Sequence, residues 1–339
     1  MPLDGSFTWA VSFVIGLRND KFGNRRAVPI GTAFVLSVPG AYGLKFDYLV
    51  TAGHVVDSED ETWARFRVDT HGRVTDVAVH DWVFHPKADV AMAPLGPKQD
   101  WRYRTVPIDV ALGATSYGDP QGQAFDPMLG DRVYFIGLAA LGGLTLMAQR
   151  NVPMVRSGTL GATYIDNVPL GTPPNIRRIQ AHLIDCRSYG GFSGSPCFVQ
   201  TLAWSKVLDF TNPGVPSPAQ ERVDYKTQLL GIVSAHFDAW DEARVTGTIA
   251  NEGTVSVPIN TGIGVVTPSE RILEVLAMDE LADDRERRER EAAEDEANQP
   301  TGATPDRVEA DETYTREQFQ ADLKRATRRL DDESDQGRA

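Results

Sequence analysis

Three short segments of this 339-residue chain hold side chains that could carry out acid–base or nucleophilic chemistry. In the first, His54 directly follows a predicted buried strand that ends in the small residues 51–53. Small residues beside an imidazole allow a second stretch of chain to approach the ring. Taken alone, this pattern leaves two interpretations open, because a histidine next to apolar residues is more often structural than functional.

The second segment places a carboxylate at the start of an apolar strand, where Asp89 precedes Val90 and Ala91. An aspartate in such a position is costly to bury unless other groups hydrogen-bond to it. The residue therefore fits a simple aspartate at a turn or strand start as well as it fits a functional one.

The third segment, residues 190–198, is the most specific of the three because glycines stand on both sides of Ser193. Such glycines permit a tight loop that presents the serine hydroxyl outward. They also leave backbone N–H groups free to point into a common space. The alternative is an ordinary Gly/Ser loop without a catalytic role.

Together, the three segments resemble the signature segments of trypsin-like (chymotrypsin-fold) serine proteases, in that family's order of His, Asp and Ser. Residues 31–35 also resemble the family's strand before the histidine, and residues 229–235 resemble the strand lining its substrate cleft. The resemblance covers about residues 7–276 and is nearest to the broad bacterial trypsin-like peptidase group. It implies an all-β fold of two six-stranded antiparallel β-barrels, with the site in the cleft between them.

The resemblance also implies a role for each residue. Ser193 would be the nucleophile, and His54 the base that takes its proton, since a serine hydroxyl is a poor nucleophile without one. Asp89 would orient the imidazole and stabilise its charged form. The N–H groups of Gly191 and Ser193 would form the oxyanion hole. This chemistry requires no cofactor or metal, and the six histidines show no zinc-ligand spacing.

The sequence predicts the residues of the substrate pocket less specifically than it predicts the catalytic residues. By resemblance, its floor lies about six residues before the nucleophile, at Arg187 or Ser188. Its wall would consist of Ser234, Ala235 and His236. Arg187 together with His236 would favour an acidic side chain before the cut. The alternative is that Arg187 points to solvent or pairs with Asp185.

Several residues compete with the predicted ones or depart from the family pattern. Asp57 is expected to continue the turn that carries His54, and Asp81 does not abut the Val-Ala pair as Asp89 does. Ser195 stands where the family usually has glycine, and we expect a structural hydroxyl there. Phe192 replaces the common aspartate, and no Ile-Val-Gly-Gly run occurs near the N-terminus. We therefore expect a site that forms constitutively, or one that a partner or substrate orders.

Composition excludes several other classes of protein. The net charge of −13 argues against a general nucleic-acid binder, and no apolar stretch is long enough for a membrane span. The first charged residue is Asp4, which is unlike a signal peptide. Cys186 and Cys197 are expected to be free buried thiols, which fits a cytoplasmic protein.

The body of the chain consists of strand-length apolar or alternating runs separated by turn residues, which predicts an all-β fold. Residues 7–17 alternate as in a half-buried strand. A helix is expected after Pro268, with its apolar face at residues 272–276. The predicted strands are residues 32–38, 48–52, 65–68, 74–79, 133–138, 144–148, 182–185, 229–235 and 262–266.

We predict an N-terminal barrel at residues 7–115, a C-terminal barrel with a terminal helix at 116–278, and a tail at 279–339. The tail is rich in Glu, Arg and Asp, so residues 279–298 would form either a charged helix or a solvated coil. A further short helix at 319–330 either docks on a regulatory protein partner or belongs to a disordered, solubilising segment.

The sequence thus favours a serine endopeptidase that acts on protein or peptide substrates, without a nucleic-acid or membrane partner. Two other functions remain open. One is a catalytically silent protease-like module that binds peptides or a partner. The other is a hydrolase that applies the same residues to non-peptide esters or thioesters.

Overall fold

The computed structural model describes residues 5–19, 22–68, 73–96, 102–111, 127–138, 150–171, 174, 176–186, 190–207, 220–245 and 253–298. Within these residues the chain forms two β units followed by two helices, which confirms the predicted all-β fold class. The predicted boundary at residue 116, the predicted strand 144–148 and the predicted helix 319–330 lie outside the described residues.

The first unit is one sheet of eight strands. Their order is β5-β4-β1-β2-β3-β7-β6, with β8 paired to β2 in parallel. Within the described residues this sheet does not close on itself, so the first unit differs in strand number and closure from the six-stranded barrel predicted for the N-terminal half. The strands are β1 (Val11–Asn19), β2 (Arg25–Pro39), β3 (Lys45–Thr51), β4 (Thr62–Arg67), β5 (Val74–Val79), β6 (Val83–Phe84), β7 (Ala91–Pro94) and β8 (Val106–Pro107).

The second unit is a closed barrel of six antiparallel strands in the order β10-β11-β14-β13-β12-β9. The six-stranded barrel predicted for the C-terminal half is therefore confirmed. Its strands are β9 (Arg132–Gly137), β10 (Met154–Leu170), β11 (Arg177–Asp185), β12 (Pro196–Val207), β13 (Gln220–Val245) and β14 (Gly253–Pro268).

The N-terminal strand begins later than its alternating pattern predicts. Phe7 and Trp9 lie in a 3-10 helix, Gly5–Trp9, in which the Thr8 hydroxyl donates to the carbonyl of Gly5. The strand itself is buried on both faces over residues 11–16, so the half-buried prediction is wrong. The physical reason is that the face expected to meet water is covered as well: Val14 joins the core of the first unit, and the Ser12 hydroxyl donates to the carbonyl of Arg65 at 3.0 Å.

Two helices follow the second barrel, α2 (Glu270–Leu276) and α3 (Asp279–Asn298), and a single turn, α1 (Gly53–Val56), follows β3. The predicted helix after Pro268 is therefore confirmed, with its apolar residues buried. Ile272 and Leu276 join the core of the first unit, although the helix follows the second unit in sequence. The helix thus ties the chain's C-terminal part to the first sheet.

Helix α3 lies on the first sheet through long side chains. Arg285 is buried and donates to the hydroxyl of Tyr48 at 3.0 Å. The guanidinium of Arg288 lies 4.7 Å from the ring centroid of Phe46, and Glu289 accepts the N–H of Ala41 at 2.9 Å. Of the two predicted alternatives for residues 279–298, a charged helix and a solvated coil, the structure has the helix. These contacts anchor it to the sheet.

A buried histidine lies inside the second barrel. His182 on β11 has no exposed surface, and its Nδ1 accepts the N–H of Tyr164 at 3.3 Å. Burial lowers the pKa of His182 from 6.5 to about 4, because the charged imidazole would lose its hydration. The folded protein therefore keeps this ring neutral at pH values where the unfolded chain protonates it.

This difference predicts a loss of stability in mild acid. The folded pKa of His182 lies below the unfolded one, so its contribution is complete above about pH 6.5 and falls as the pH drops toward 4. We expect the free energy of unfolding to drop by about 2 kcal/mol from this residue between pH 7 and pH 5. Urea denaturation of the wild type and of His182→Asn measures it. An equal pH dependence in both proteins would contradict the assignment.

Candidate active site

The short turn α1 and the loop before β7 bring His54 and Asp89 into contact. Asp89 accepts two hydrogen bonds from this one residue, 2.8 Å to Nδ1 with Oδ2 and 2.8 Å to the backbone N–H with Oδ1. Asp89 is 1% exposed, whereas the His54 side chain is 40% exposed. With Nδ1–H donating to the carboxylate, Nε2 of the neutral ring carries a free lone pair.

A small residue before His54 fits this contact. A Cβ atom added at Gly53 would lie 3.3 Å from Oδ1 of Asp89 and 3.5 Å from the backbone N of Val90. The first distance is tight, so a side chain here would require the carboxylate to shift by a few tenths of an ångström. The small residues before the histidine have the function the sequence suggests, which is to admit a second stretch of chain.

The Ser193 loop combines left-handed glycines with a buried aromatic anchor. Gly191 and Gly194 have φ angles of 97° and 88°, a region that disfavours other residues. Between them, Phe192 is fully buried and meets the ring of Phe135 edge to face at 5.3 Å. Ser193 itself stays partly exposed. The loop thus buries one residue and presents the next.

Thr32 on β2 joins this loop to the first sheet. Its N–H donates to the carbonyl of Ser193 at 2.8 Å, and its hydroxyl donates to the carbonyl of Gly191 at 2.6 Å. The same hydroxyl accepts the N–H of Leu138 at 3.0 Å. A Cβ atom added at Gly194 would lie 1.8 Å from the carbonyl oxygen of Thr32, so only glycine fits there.

This attachment places Ser193 beside the turn that carries His54. A Cβ atom added at Gly31 would lie 2.6 Å from a methyl group of Val55 and 3.2 Å from the carbonyl oxygen of Ser193. The residue after His54 and the nucleophile candidate therefore pack against the same point of β2. Residues from the two β units meet at this point of the chain.

The hydroxyl of Ser193 donates a long hydrogen bond, 3.4 Å, to the carbonyl of Ser234 on β13. Among the hydrogen bonds of the described residues, none joins this hydroxyl to Nε2 of His54. A serine hydroxyl reorients by rotation about one single bond, and catalytic hydrogen bonds are often loose without substrate. Both the carbonyl of Ser234 and the imidazole are thus possible acceptors.

Two backbone N–H groups of the loop face no acceptor within the part of the chain that the structure describes. These belong to Gly191 and Ser193, the predicted oxyanion donors, whereas Gly194 and Ser195 donate to Val233 and Phe192. Free donors beside a serine hydroxyl are the groups that would bind a developing oxyanion.

The predicted pocket is described only in part. Arg187 and Ser188, its predicted floor, lie outside the described residues. Ser234 is buried, and its hydroxyl lies 2.6 Å from that of Thr267. Ala235 and His236 follow it on β13 and are partly exposed. The acidic-pocket hypothesis therefore stays a prediction.

The competing residues lie elsewhere or are inaccessible. Asp57 is exposed and pairs with Arg177, and Asp81 is exposed. The hydroxyl of Ser195 is fully buried without a partner among the described residues. The hydroxyl packs against Gly137, where an added Cβ atom would lie 2.1 Å from it, and Ser195 has no exposed surface. The expectation of a structural Ser195 is consistent with this burial.

Cys186 and Cys197 are both buried and free, which confirms that prediction. Burial raises the pKa of Cys186 to about 11 and that of Cys197 well above its ordinary value. Since the thiolate is the reactive form, neither thiol is a nucleophile near neutral pH.

The model of the trypsin-like peptidase domain matches residues 31–203, about half of the chain, and the protein belongs to this family. No curated protein sequence matches it. Among the described residues, no helix combines the length and apolar character needed to cross a membrane.

Solved structures of similar fold share little sequence with the chain. The apo MamO protease domain from Magnetospirillum magneticum has 15% identity and a TM-score of 0.43, covering 80% of this chain and 97% of that one. Neuropsin, a serine protease from mouse brain, has 11% identity and a TM-score of 0.39, covering 79% and 92%.

Thr32 is a residue of this site to which sequence reasoning gave no role. The segment 31–35 was matched only as a strand, and nothing local marks its threonine as the residue that binds a loop about 160 positions away. In the sequence, the one feature that could have pointed to this role of Thr32 is its position directly after Gly31.

Removing the hydroxyl of Thr32 is predicted to destabilise the protein. In Thr32→Val, the carbonyl of Gly191 loses its donor and the N–H of Leu138 its acceptor. We expect a loss of about 2 kcal/mol in the free energy of unfolding, since buried polar groups would be left unpaired. Thr32→Ser keeps the hydroxyl and is the matched control. Urea denaturation that finds the two variants equally stable would contradict this role.

Proposed function

We propose that this protein is a serine endopeptidase in which Ser193, His54 and Asp89 act together. The observation that carries the proposal is that Gly31 on β2 lies against both Val55, the residue after His54, and the carbonyl oxygen of Ser193. The family match supports a peptidase of the trypsin-like class. The catalytic roles of these three residues are our inference from their geometry and chemistry.

In the proposed reaction, the hydroxyl of Ser193 turns from the carbonyl of Ser234 to Nε2 of His54. His54 takes its proton as Oγ attacks the peptide carbonyl, and a carbon–oxygen bond forms. The hydrogen bond from Nδ1 to Asp89 keeps Nε2 unprotonated before attack and stabilises the imidazolium afterwards. The imidazolium then gives its proton to the leaving amine as the carbon–nitrogen bond breaks.

The acyl-enzyme that results would be hydrolysed by the reverse sequence, with water in place of the amine. His54 takes a proton from the water, whose oxygen attacks the ester, and returns it to Oγ of Ser193. In both steps, the N–H groups of Gly191 and Ser193 would hold the oxyanion. One such donor is typically worth about 3 kcal/mol of transition-state stabilisation.

A second candidate function is a catalytically silent module that binds peptides or a partner. The observation that favours it is the hydrogen bond from Ser193 to the carbonyl of Ser234, which leaves His54 without a serine partner. Against it stands the cost of burying Asp89, a carboxylate whose two hydrogen bonds within the described residues both come from His54. A module that only binds peptides has no need of this pair.

Location and partners remain predictions. A cytoplasmic protein is expected from the two free cysteines, and a regulatory partner would contact the tail beyond α3. A constitutively formed site is supported by Phe192, whose burial anchors the loop without the family's usual aspartate.

Two serine variants test the proposed nucleophile. We expect wild-type protein to react with a fluorophosphonate probe and to cleave casein, and Ser193→Ala to lose both activities, because the attacking oxygen is gone. Ser195→Ala should retain both, since its hydroxyl is buried away from substrate. Gel-based labelling and a cleavage assay measure them.

The other outcomes separate the competing functions. Labelling that persists in Ser193→Ala would contradict the assignment of the nucleophile. A wild type that binds peptides but is never labelled would favour the silent module. Labelling with hydrolysis of esters but of no peptide would favour the third class of hydrolase.

A further inference from the structure

A second histidine–carboxylate pair lies buried next to the loop that carries Asp89. Nε2 of His85 lies 2.6 Å from Oε2 of Glu274 on α2, and both side chains are 1% exposed. Sequence reasoning assigned no role to either residue. The pair links the loop that precedes Asp89 to the C-terminal helix.

The hydrogen bonds of His85 define which nitrogen of its ring carries the proton. Its Nδ1 accepts the backbone N–H groups of Lys87 at 3.0 Å and Ala88 at 2.8 Å, so Nδ1 carries a lone pair. The proton of the neutral ring therefore sits on Nε2 and is donated to Glu274. In addition, the backbone N–H of His85 donates to the carbonyl of Val90 at 3.0 Å.

These contacts enclose Asp89. The loop from His85 to Val90 is closed at its ends by a backbone hydrogen bond and held in its middle by the imidazole of its first residue. This loop also carries Asp89, whose two carboxylate oxygens accept hydrogen bonds from His54. The position of His85 therefore sets where the carboxylate is presented.

Glu274 in turn is held by Arg271, which donates to both of its carboxylate oxygens at 2.8 Å and to Gln180 on β11 at 3.0 Å. Burial alone would raise the pKa of Glu274, but the hydrogen bonds from His85 and Arg271 outweigh it and leave the pKa below its ordinary value. Glu274 is thus an ionised acceptor. Buried ionic groups add little net stability over apolar packing, so a geometric role accounts better for this network.

We propose that His85 and Glu274 are positioning residues of the reaction proposed above, on which this inference rests. Glu274 holds the Nε2–H form of His85, and the Nδ1 lone pair of His85 holds the loop that presents Asp89 to His54. Neither residue contacts the substrate. The C-terminal helix thereby becomes a determinant of catalytic geometry as well as of stability.

Two substitutions of His85 separate the two ends of its ring. His85→Asn places an amide oxygen near the former Nδ1, and asparagine readily accepts the N–H two residues on. His85→Gln keeps a donor near Glu274 but removes the acceptor from the loop. We expect the first variant to react within about threefold of wild type and the second to slow about tenfold or more, as expected for displaced catalytic groups.

The measurement is the rate of phosphonylation by a fluorophosphonate, separated into the maximal rate and the half-saturating probe concentration. The loss should fall on the maximal rate, because the probe's binding surface is unchanged. Tyr103→Phe removes a hydrogen bond to Asp47 elsewhere on the first sheet and is the matched control, with no expected loss. Equal losses in both His85 variants, or a loss in neither, would overturn the proposal.

A second readout is independent of activity. The proton shared by His54 Nδ1 and Asp89 gives a downfield NMR signal, which wild type and His85→Asn should show and His85→Gln should lack. If wild type is not phosphonylated, the proposed function fails while this signal still decides the positioning role. A signal kept in His85→Gln would overturn it.

Two substitutions of Glu274 test the positioning role if His85→Gln does not fold. Glu274→Gln and Glu274→Leu remove the same charge, but only glutamine retains an acceptor for the Nε2 proton of His85. We expect the downfield signal in Glu274→Gln and its loss in Glu274→Leu. Identical spectra from these two variants would overturn the proposal.

Discussion

The buried carboxylate of Asp89 is the constraint on which the rest of the site depends. An ionised carboxylate is costly to remove from water, and this one meets the cost through two hydrogen bonds from a single residue, His54. Both bonds are 2.8 Å long, so the ring and the backbone of His54 are fixed together. This arrangement orients Nε2 and leaves little room for a side chain at position 53.

A second requirement is that the two β units be joined at the site. Thr32 supplies the connection, because one strand residue binds the carbonyls on both sides of Phe192. The close approach of Gly194 to the carbonyl of Thr32 leaves no space for a side chain between the sheet and the loop. Helix α2 forms another connection, since it follows the second barrel but contributes to the core of the first unit. The candidate site therefore depends on contacts between distant parts of the chain.

The sequence predicted what is encoded locally. Glycines around Ser193, small residues before His54 and the apolar strand after Asp89 are properties of short segments, and each has the expected local structure. The strand-length runs likewise predicted an all-β body. Alternation misled at the N-terminus, because local hydrogen bonds, from the Thr8 hydroxyl to the carbonyl of Gly5 and from the Ala10 N–H to the carbonyl of Phe7, hold Phe7 and Trp9 in a 3-10 helix.

What the sequence could not predict depends on long-range contacts. A threonine in a strand, a histidine before proline and a glutamate on a short helix each have ordinary surroundings in sequence. Only the fold brings Thr32 to Gly191, and His85 to a residue 189 positions away. The same holds for α3. Its charged sequence fits a solvated helix equally well, and only the structure shows that Arg285 donates to the hydroxyl of Tyr48.

The central claim is that the hydroxyl of Ser193 and the N–H groups of its loop work on one carbonyl carbon. A crystal structure of the protein after reaction with a fluorophosphonate tests this most directly. The account predicts a phosphorus–oxygen bond to Oγ of Ser193, with one phosphonyl oxygen about 3 Å from the backbone nitrogens of Gly191 and Ser193. An adduct on another residue, or one whose oxygen points away from both nitrogens, would contradict the account.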